Sequence, residues 1–236
     1  MDFIVEEKVF SQLPTACFGV VVARGVDNQS KDCRPAELLA QSIQAVEARF
    51  AAQKAKESLE IVPYREAFAT LGINPNKFLS SIEAMASRIE KKKGFPSINP
   101  VVDLGNALSL KYLLPMGAHD IDAASGDIQL RFSRQGDLFT PFGETAAEQL
   151  EAGELIYSAG DRVKTRRWIW RQSEEGKVTG NSRNIFFPID GFSDKNLARV
   201  IAARDELAAF LGQIFGASVQ VGLVDRDNPT LTLTGI

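Results

Sequence analysis

Apolar positions along the chain switch between a period near four and a period of two. Cys17 to Ala23 is a short apolar run rich in β-branched residues, stopped by Arg24-Gly25 and the polar pair Asp27-Asn28, and it predicts a buried strand. Leu39, Ile43, Val46 and Phe50 then recur at intervals of four, three and four, an amphipathic helix that begins near Pro35. A shorter helix is expected from Pro63 to Leu71, with Gly72 suited to the left-handed residue that follows it. Ser80, with Glu83 three residues later, reads as a reciprocal cap for a third helix whose inner face is Ile82, Met85, Ala86 and Ile89. Lys91-Lys92-Lys93 lies where the carbonyl end of that helix favours positive charge. Asn99 to Leu113 predicts a fourth helix, bent at its Asn99-Pro100 entrance.

Beyond Gly126-Asp127 the period becomes two. Ile128, Leu130 and Phe132 alternate with Gln129, Arg131 and Ser133, and Arg134 to Asp137 offers a hairpin connection. Strands are expected at Glu154 to Tyr157, Arg162 to Gln172 and Asn184 to Phe187. A last helix starts near Ser193, carries Leu197, Val200, Ile201, Leu207, Leu211 and Ile214 inward, and closes at Gly216, before a strand through Val219, Val221 and Leu223. Helices at both ends and antiparallel strands between them predict an α+β, mixed multilayer fold. No connection is long enough to act as an interdomain linker, so residues 1–236 are expected to form one domain.

Composition narrows the function classes. With 236 residues, 44% of them hydrophobic, the chain can bury a core without a metal or disulfide staple. Two cysteines, an acidic amino-terminal segment and no uninterrupted apolar run of ~18 residues lead to the expectation of a soluble cytoplasmic protein with no membrane contact. The net charge of −3 gives no global field for nucleic acid, leaving only local basic surfaces. One histidine and two distant cysteines argue against zinc, and neither a phosphate-binding glycine loop nor a Gly-x-Ser-x-Gly elbow is found, so no metal or cofactor is expected.

Three places carry candidate chemistry. His119 lies in the turn-like run Pro115 to Asp122, an exposed connection by pattern, where it is either ordinary surface chemistry or a base and substrate anchor. Asp103 and Asn106 share a helix face near Asn99; they can orient a water and bind a ribose hydroxyl or carboxylate, or all three can simply hydrogen-bond backbone at the bend. In Arg162 to Gln172, strand alternation sets Lys164, Arg166, Trp168 and Trp170 on one side and Arg167, Ile169 and Arg171 on the other. Such a strand either buries its tryptophans under solubilising arginines or stacks bases in a groove.

The central part of the chain resembles the B3/B4 domain family, known as the editing module of the β subunit of bacterial phenylalanyl-tRNA synthetase and as free-standing proteins. The resemblance rests on Tyr64-Arg65-x-x-Phe68-x-x-Leu71-Gly72-x-x-Pro75-x-Lys77, on Ser81-x-Glu83-Ala84 and above all on Ile98-Asn99-Pro100-Val101-Val102-Asp103-x-x-Asn106-x-x-Ser109-Leu110. It continues in order through Leu114-Pro115-x-Gly117-x-x-Asp120, Gly126-Asp127-Ile128-x-Leu130-Arg131, Gly153 to Tyr157 and Arg167-Trp168-x-Trp170-Arg171-Gln172. It implies a metal-independent deacylase that hydrolyses the ester of mischarged aminoacyl-tRNA, with tRNA and a synthetase as partners. Asp103, His119 and Asp120 are then the catalytic candidates, and Asn99, Asn106, Gly117, Arg167, Trp170 and Arg171 the substrate-binding ones. The alternative is a noncatalytic tRNA- or aminoacyl-binding module. Two positions depart from the synthetase pattern: Gly117 follows Pro115-Met116 where that pattern has a histidine, and Pro188, with Asp190 two residues on, stands where it has a glutamate.

Overall fold

The computed structural model describes residues 1–122 and 124–234. The chain opens with β1 (Asp2–Val5), α1 (Glu7–Gln12) and β2 (Ala16–Arg24), then runs through four helices, α2 (Arg34–Arg49), α3 (Val62–Thr70), α4 (Ser81–Glu90) and α5 (Pro100–Tyr112). Seven short strands follow: β3 (His119–Asp120), β4 (Ile128–Phe132), β5 (Leu138–Phe139), β6 (Glu148–Gln149), β7 (Leu155–Ala159), β8 (Arg162–Arg166) and β9 (Arg171–Gln172). β10 (Ile185–Phe192), α6 (Leu197–Phe215), β11 (Ser218–Val224) and β12 (Thr230–Thr232) complete the α+β fold.

The strands form two sheets. The larger has the order β12-β1-β4-β7-β8-β5-β6, with β9 attached to β8, and is antiparallel except at β1–β4 and β5–β8. The smaller, β11-β2-β10-β3, is antiparallel throughout. β2 is apolar on both faces because both are covered. Phe18, Val20 and Val22 join Phe3, Tyr157 and Phe186 between the sheets, while Val21, Ala23, Ile185 and Phe187 pack under Leu104 and Leu108 of α5 and Leu207 and Leu211 of α6. Phe3 is the hinge of the inter-sheet core, edge-on to Phe18 at 6.2 Å and 5.0 Å from Phe186.

Local chemistry explains the helix ends. Gly72 and Gly216 close their helices at positive φ, as their sequence positions predict. Ser80 accepts the Glu83 amide at 3.3 Å, but the reciprocal half of the expected cap is absent: the Glu83 carboxylate turns to Arg65 at 2.5 Å instead. An ion pair outcompetes a neutral amide as a partner for that carboxylate. The final helix begins at Leu197, four residues later than expected, because the Asn196 side chain accepts the Phe192 amide and holds the preceding turn.

Two sequence expectations about the strands are overturned. Arg134 to Asp137 is a turn, with Gly136 at φ 101°, but it joins no hairpin: β4 pairs with β1 and β7, and β5 pairs with β6 and β8. The turn is instead clasped by Asp137, which accepts both arms of the buried Arg131 guanidinium at 2.7 Å and the Arg134 amide at 2.7 Å. The segment Arg162 to Gln172 is likewise not one strand. β8 stops at Arg166, and Arg167 and Trp168 both take left-handed conformations, φ 47° and 60°. Glu154 holds this break by accepting the Arg167 amide at 3.1 Å and pairing with Arg166 at 2.8 Å, while the Trp168 amide donates to Leu155.

Candidate functional site

The break after β8 turns Trp168 into the core and creates a cavity of about 80 Å³ between β3, β7, β9 and β10. Its walls include Gly117, His119, Trp170, Arg171, Pro188 and Asp190. The Pro115–Gly117 segment is held to β10 by the Gly117 amide, which donates to Pro188 O at 2.9 Å, and by the Asp190 amide, which donates to Pro115 O at 3.1 Å. Gln172 of β9 donates to Ala118 O at 2.7 Å and fixes the opposite wall.

His119 is not on an exposed turn, contrary to its sequence pattern. Pairing of β3 with β10 buries it to 3% exposure, with its ring 6.0 Å from Tyr157 and 6.3 Å from Phe186. Nδ1 is buried and has no hydrogen-bond partner among the described residues. A β-carbon on Gly117 would stand 3.0 Å from His119 Nε2 and 3.1 Å from Pro188 Cγ, so the imidazole occupies the space that a side chain at 117 would take. Burial, reinforced by the charge of Lys164, lowers the imidazole pKa to about 3. The ring is neutral at physiological pH, with one nitrogen a donor and the other an acceptor.

Across the same cavity, Asp190 is 1% exposed and accepts the Tyr157 hydroxyl at 2.7 Å and the Trp168 indole N–H at 2.6 Å, both on Oδ1. Burial raises its carboxyl to about 7, and those two hydrogen bonds only partly offset the shift. The Tyr64 hydroxyl donates to the Asp190 carbonyl at 2.8 Å. Sequence patterning did not single out Tyr157, and it offered Trp168 only as a core or base-stacking residue and not as a partner of Asp190; the available signal was one acid inside the apolar run Ile185 to Phe192, since a buried carboxyl is costly unless something uses it.

The other candidates separate into three groups. Asn99 and Asp103 are helix-entrance architecture: Asn99 accepts the Val102 amide at 3.1 Å and donates to Val178 O, and Asp103 accepts the Ile98 amide at 2.8 Å and the Ser97 hydroxyl. Neither borders the His119 cavity. Asp120, next to His119 but on the opposite face of the strand, accepts the Ser182 hydroxyl and the Asp122 amide and is also outside it. Asn106, one turn beyond Asp103, borders a second cavity of about 110 Å³ that shares Met116, Gly117 and Gln172 with the first. It also borders a groove of about 530 Å³ that carries Arg88, Lys91 and Lys93.

The aromatic and basic side chains cluster at the mouth. Arg171 is exposed, its guanidinium 5.9 Å from the ring of half-buried Trp170. Arg167 packs beside them, 4.0 Å over Phe78 and 4.7 Å from Trp170, and pairs with Glu154 at 3.3 Å. Among the described residues, no three or more His, Cys, Asp or Glu side chains converge as metal ligands.

Residues 63–209 match the family model of the B3/4 domain. The chain is 30% identical over 96 residues to the phenylalanine-tRNA ligase beta subunit of Idiomarina loihiensis, a stretch that is 41% of this chain and 12% of that subunit. It is 31% identical over 117 residues to the corresponding subunit of Colwellia psychrerythraea, covering 49% of this chain and 14% of the relative. The chain therefore spans only a small part of the length of these curated relatives. Among solved structures, an N-terminal fragment of the phenylalanyl-tRNA synthetase beta subunit from Pyrococcus horikoshii is similar at 12% identity and a TM-score of 0.48, covering 92% of this chain and 49% of that one.

Proposed function

Because this chain belongs to the B3/4 domain family, we propose that its His119 cavity receives the aminoacylated 3′ end of a tRNA and hydrolyses the ester of a wrongly attached amino acid. One observation carries the reading: an otherwise buried imidazole lines a small cavity, with Nε2 toward the space left by Gly117. On this reading His119 compensates for the departure from the synthetase pattern at residue 117, and what supports it is that the ring lies beside the position a side chain at 117 would take.

The chemistry follows from the neutral ring. A ring nitrogen orients a water against the ester carbonyl, with the terminal ribose hydroxyl helping to hold that water; the water oxygen bonds to carbon, the carbon–ribose oxygen bond breaks, and the proton taken from the water passes to the ribose oxygen. Trp170 stacks the terminal base and Arg171 meets the phosphate at the mouth. Asn99 and Asp103 act indirectly by fixing the start of α5, which brings Asn106 to the neighbouring cavity. This route uses no metal or cofactor. Its substrate comes from a synthetase that attached the wrong amino acid, in the cytoplasm.

A second reading, a noncatalytic aminoacyl-tRNA binding module, is favoured by one observation: an imidazole whose pKa is held at about 3 is a poor proton store. Release of labelled amino acid from a panel of charged tRNAs separates the two. The hydrolase reading predicts release above buffer for at least one member and a loss of roughly 100-fold in His119→Ala, typical of a removed acid-base group. Binding of charged tRNA without release from any member supports the module.

A further inference from the structure

The hydrogen bonds to Asp190 are lopsided. Tyr157 and Trp168 both donate to Oδ1, and Oδ2 accepts none from the described residues. Both donors are neutral, and among the described residues no Lys or Arg forms an ion pair with this carboxylate. The cation that borders the cavity, Arg171, is exposed at its mouth. Oδ1 is satisfied and the negative charge is not, an arrangement that costs free energy until a cation with N–H donors completes it.

From this geometry we infer that Asp190 is a recognition residue for a primary ammonium group, the α-amino group of the aminoacyl ligand. The inference rests on the aminoacyl-ester reading of the cavity. Residues 186, 188 and 190 of β10 lie on one face, so Phe186, which flanks His119, and Asp190 stand at the two ends of the same wall with Pro188 between them. A ligand whose amine meets Asp190 Oδ2 therefore extends along Pro188 toward the imidazole. Tyr157 and Trp168 add aromatic walls that tolerate a cation, and among the described residues that line the cavity there is no second acid to compete.

A single titration then controls the interaction. The titratable and polar groups that contact Asp190 or share its cavity are Tyr157 of β7, Trp168 after β8 and Tyr64 of α3, which hydrogen-bond to it, His119 of β3 and Arg171 of β9 across the cavity, and Cys17 of the paired strand β2. Burial keeps His119 neutral, raises both phenols and pushes the Cys17 thiol up to about 12, so near neutrality only the Asp190 carboxyl changes charge. Ammonium binding strengthens as that carboxyl ionises.

The test compares alaninamide with propionamide, which has the same outline without the amine, by calorimetry on the wild-type protein and on Asp190→Asn. The expected result is a preference of roughly ten-fold or more for alaninamide near pH 7.5, shrinking near pH 5.5, as for a charge-assisted hydrogen bond. Asp190→Asn keeps an acceptor for Tyr157 and Trp168 and should bind both compounds alike. Equal wild-type affinities, no binding of either compound, or a preference that survives Asp190→Asn would overturn the ammonium site. If the variant does not fold, the pH comparison on the wild type decides alone. Deacylation measured in parallel separates the two claims: hydrolysis without amine preference sinks only the ammonium site, and amine preference without hydrolysis sinks only the esterase.

Discussion

Asp190 and His119 respond to burial in opposite senses, and the difference is measurable as stability against pH. The Asp190 carboxyl rises from 3.8 to about 7, so the native state holds a proton that the unfolded state loses; stability is fully present below about pH 4 and falls as pH rises toward 7. The imidazole falls from 6.5 to about 3, so its contribution is present above pH 6.5 and is lost as pH falls through 3. Asp190→Asn removes only the first. Its stability relative to wild type should be near zero at about pH 4 and grow toward about pH 8 to at most about 4 kcal/mol, the worth of some three pKa units. Chemical denaturation at the two pH values checks this, and a constant difference would contradict it. At this scale the sequence revealed His119 and Gly117 as residues of interest but not that one fills the space beside the other. That relation depends on β3 pairing with β10 across more than sixty intervening residues, which no local pattern encodes.

Elements with a strong period were legible; those shaped by one side-chain contact were not. The stripes of α2, α4 and α6 face the cores their spacing implies, with Leu39, Ile82 and Leu211 buried. Leu211 is fully buried under β2 and β10, so Leu211→Ala should cost about 2 to 5 kcal/mol in equilibrium unfolding, and a loss below ~0.5 kcal/mol would remove α6 from the core. The run from Arg162 to Gln172 misled because a strand pattern continues through two left-handed residues that glycine would ordinarily mark. Glu154, eight residues before that run begins, supplies the contacts that stabilise the break, and the break places Trp168 against Asp190. β1 and β12 escaped notice for the opposite reason: at four and three residues they are too short to show a period, and tertiary pairing defines them, β12 with β1 and β1 with both β12 and β4.

Over the whole molecule, the net charge of −3 conceals a local basic groove. Arg88 donates to the carbonyls of Lys93 and Gly94, and none of Arg88, Lys91 and Lys93 is paired with an acid among the described residues. Asn106 links this groove to the cavity beside Gly117, a path suited to the phosphates leading away from an aminoacylated 3′ end. Replacing the three cations by alanine should reduce the salt slope of tRNA affinity by about two, at about 0.7 per single-stranded phosphate contact; an unchanged slope would place the nucleic acid elsewhere. The central claim, that the ligand's ester lies against the buried imidazole, has a direct test because His119 is the sole histidine in the chain. A nonhydrolysable aminoacyl-adenosine analogue, titrated while the imidazole resonances are followed by NMR, should shift them in saturable proportion to occupancy. Resonances that stay fixed at saturating analogue would contradict the account.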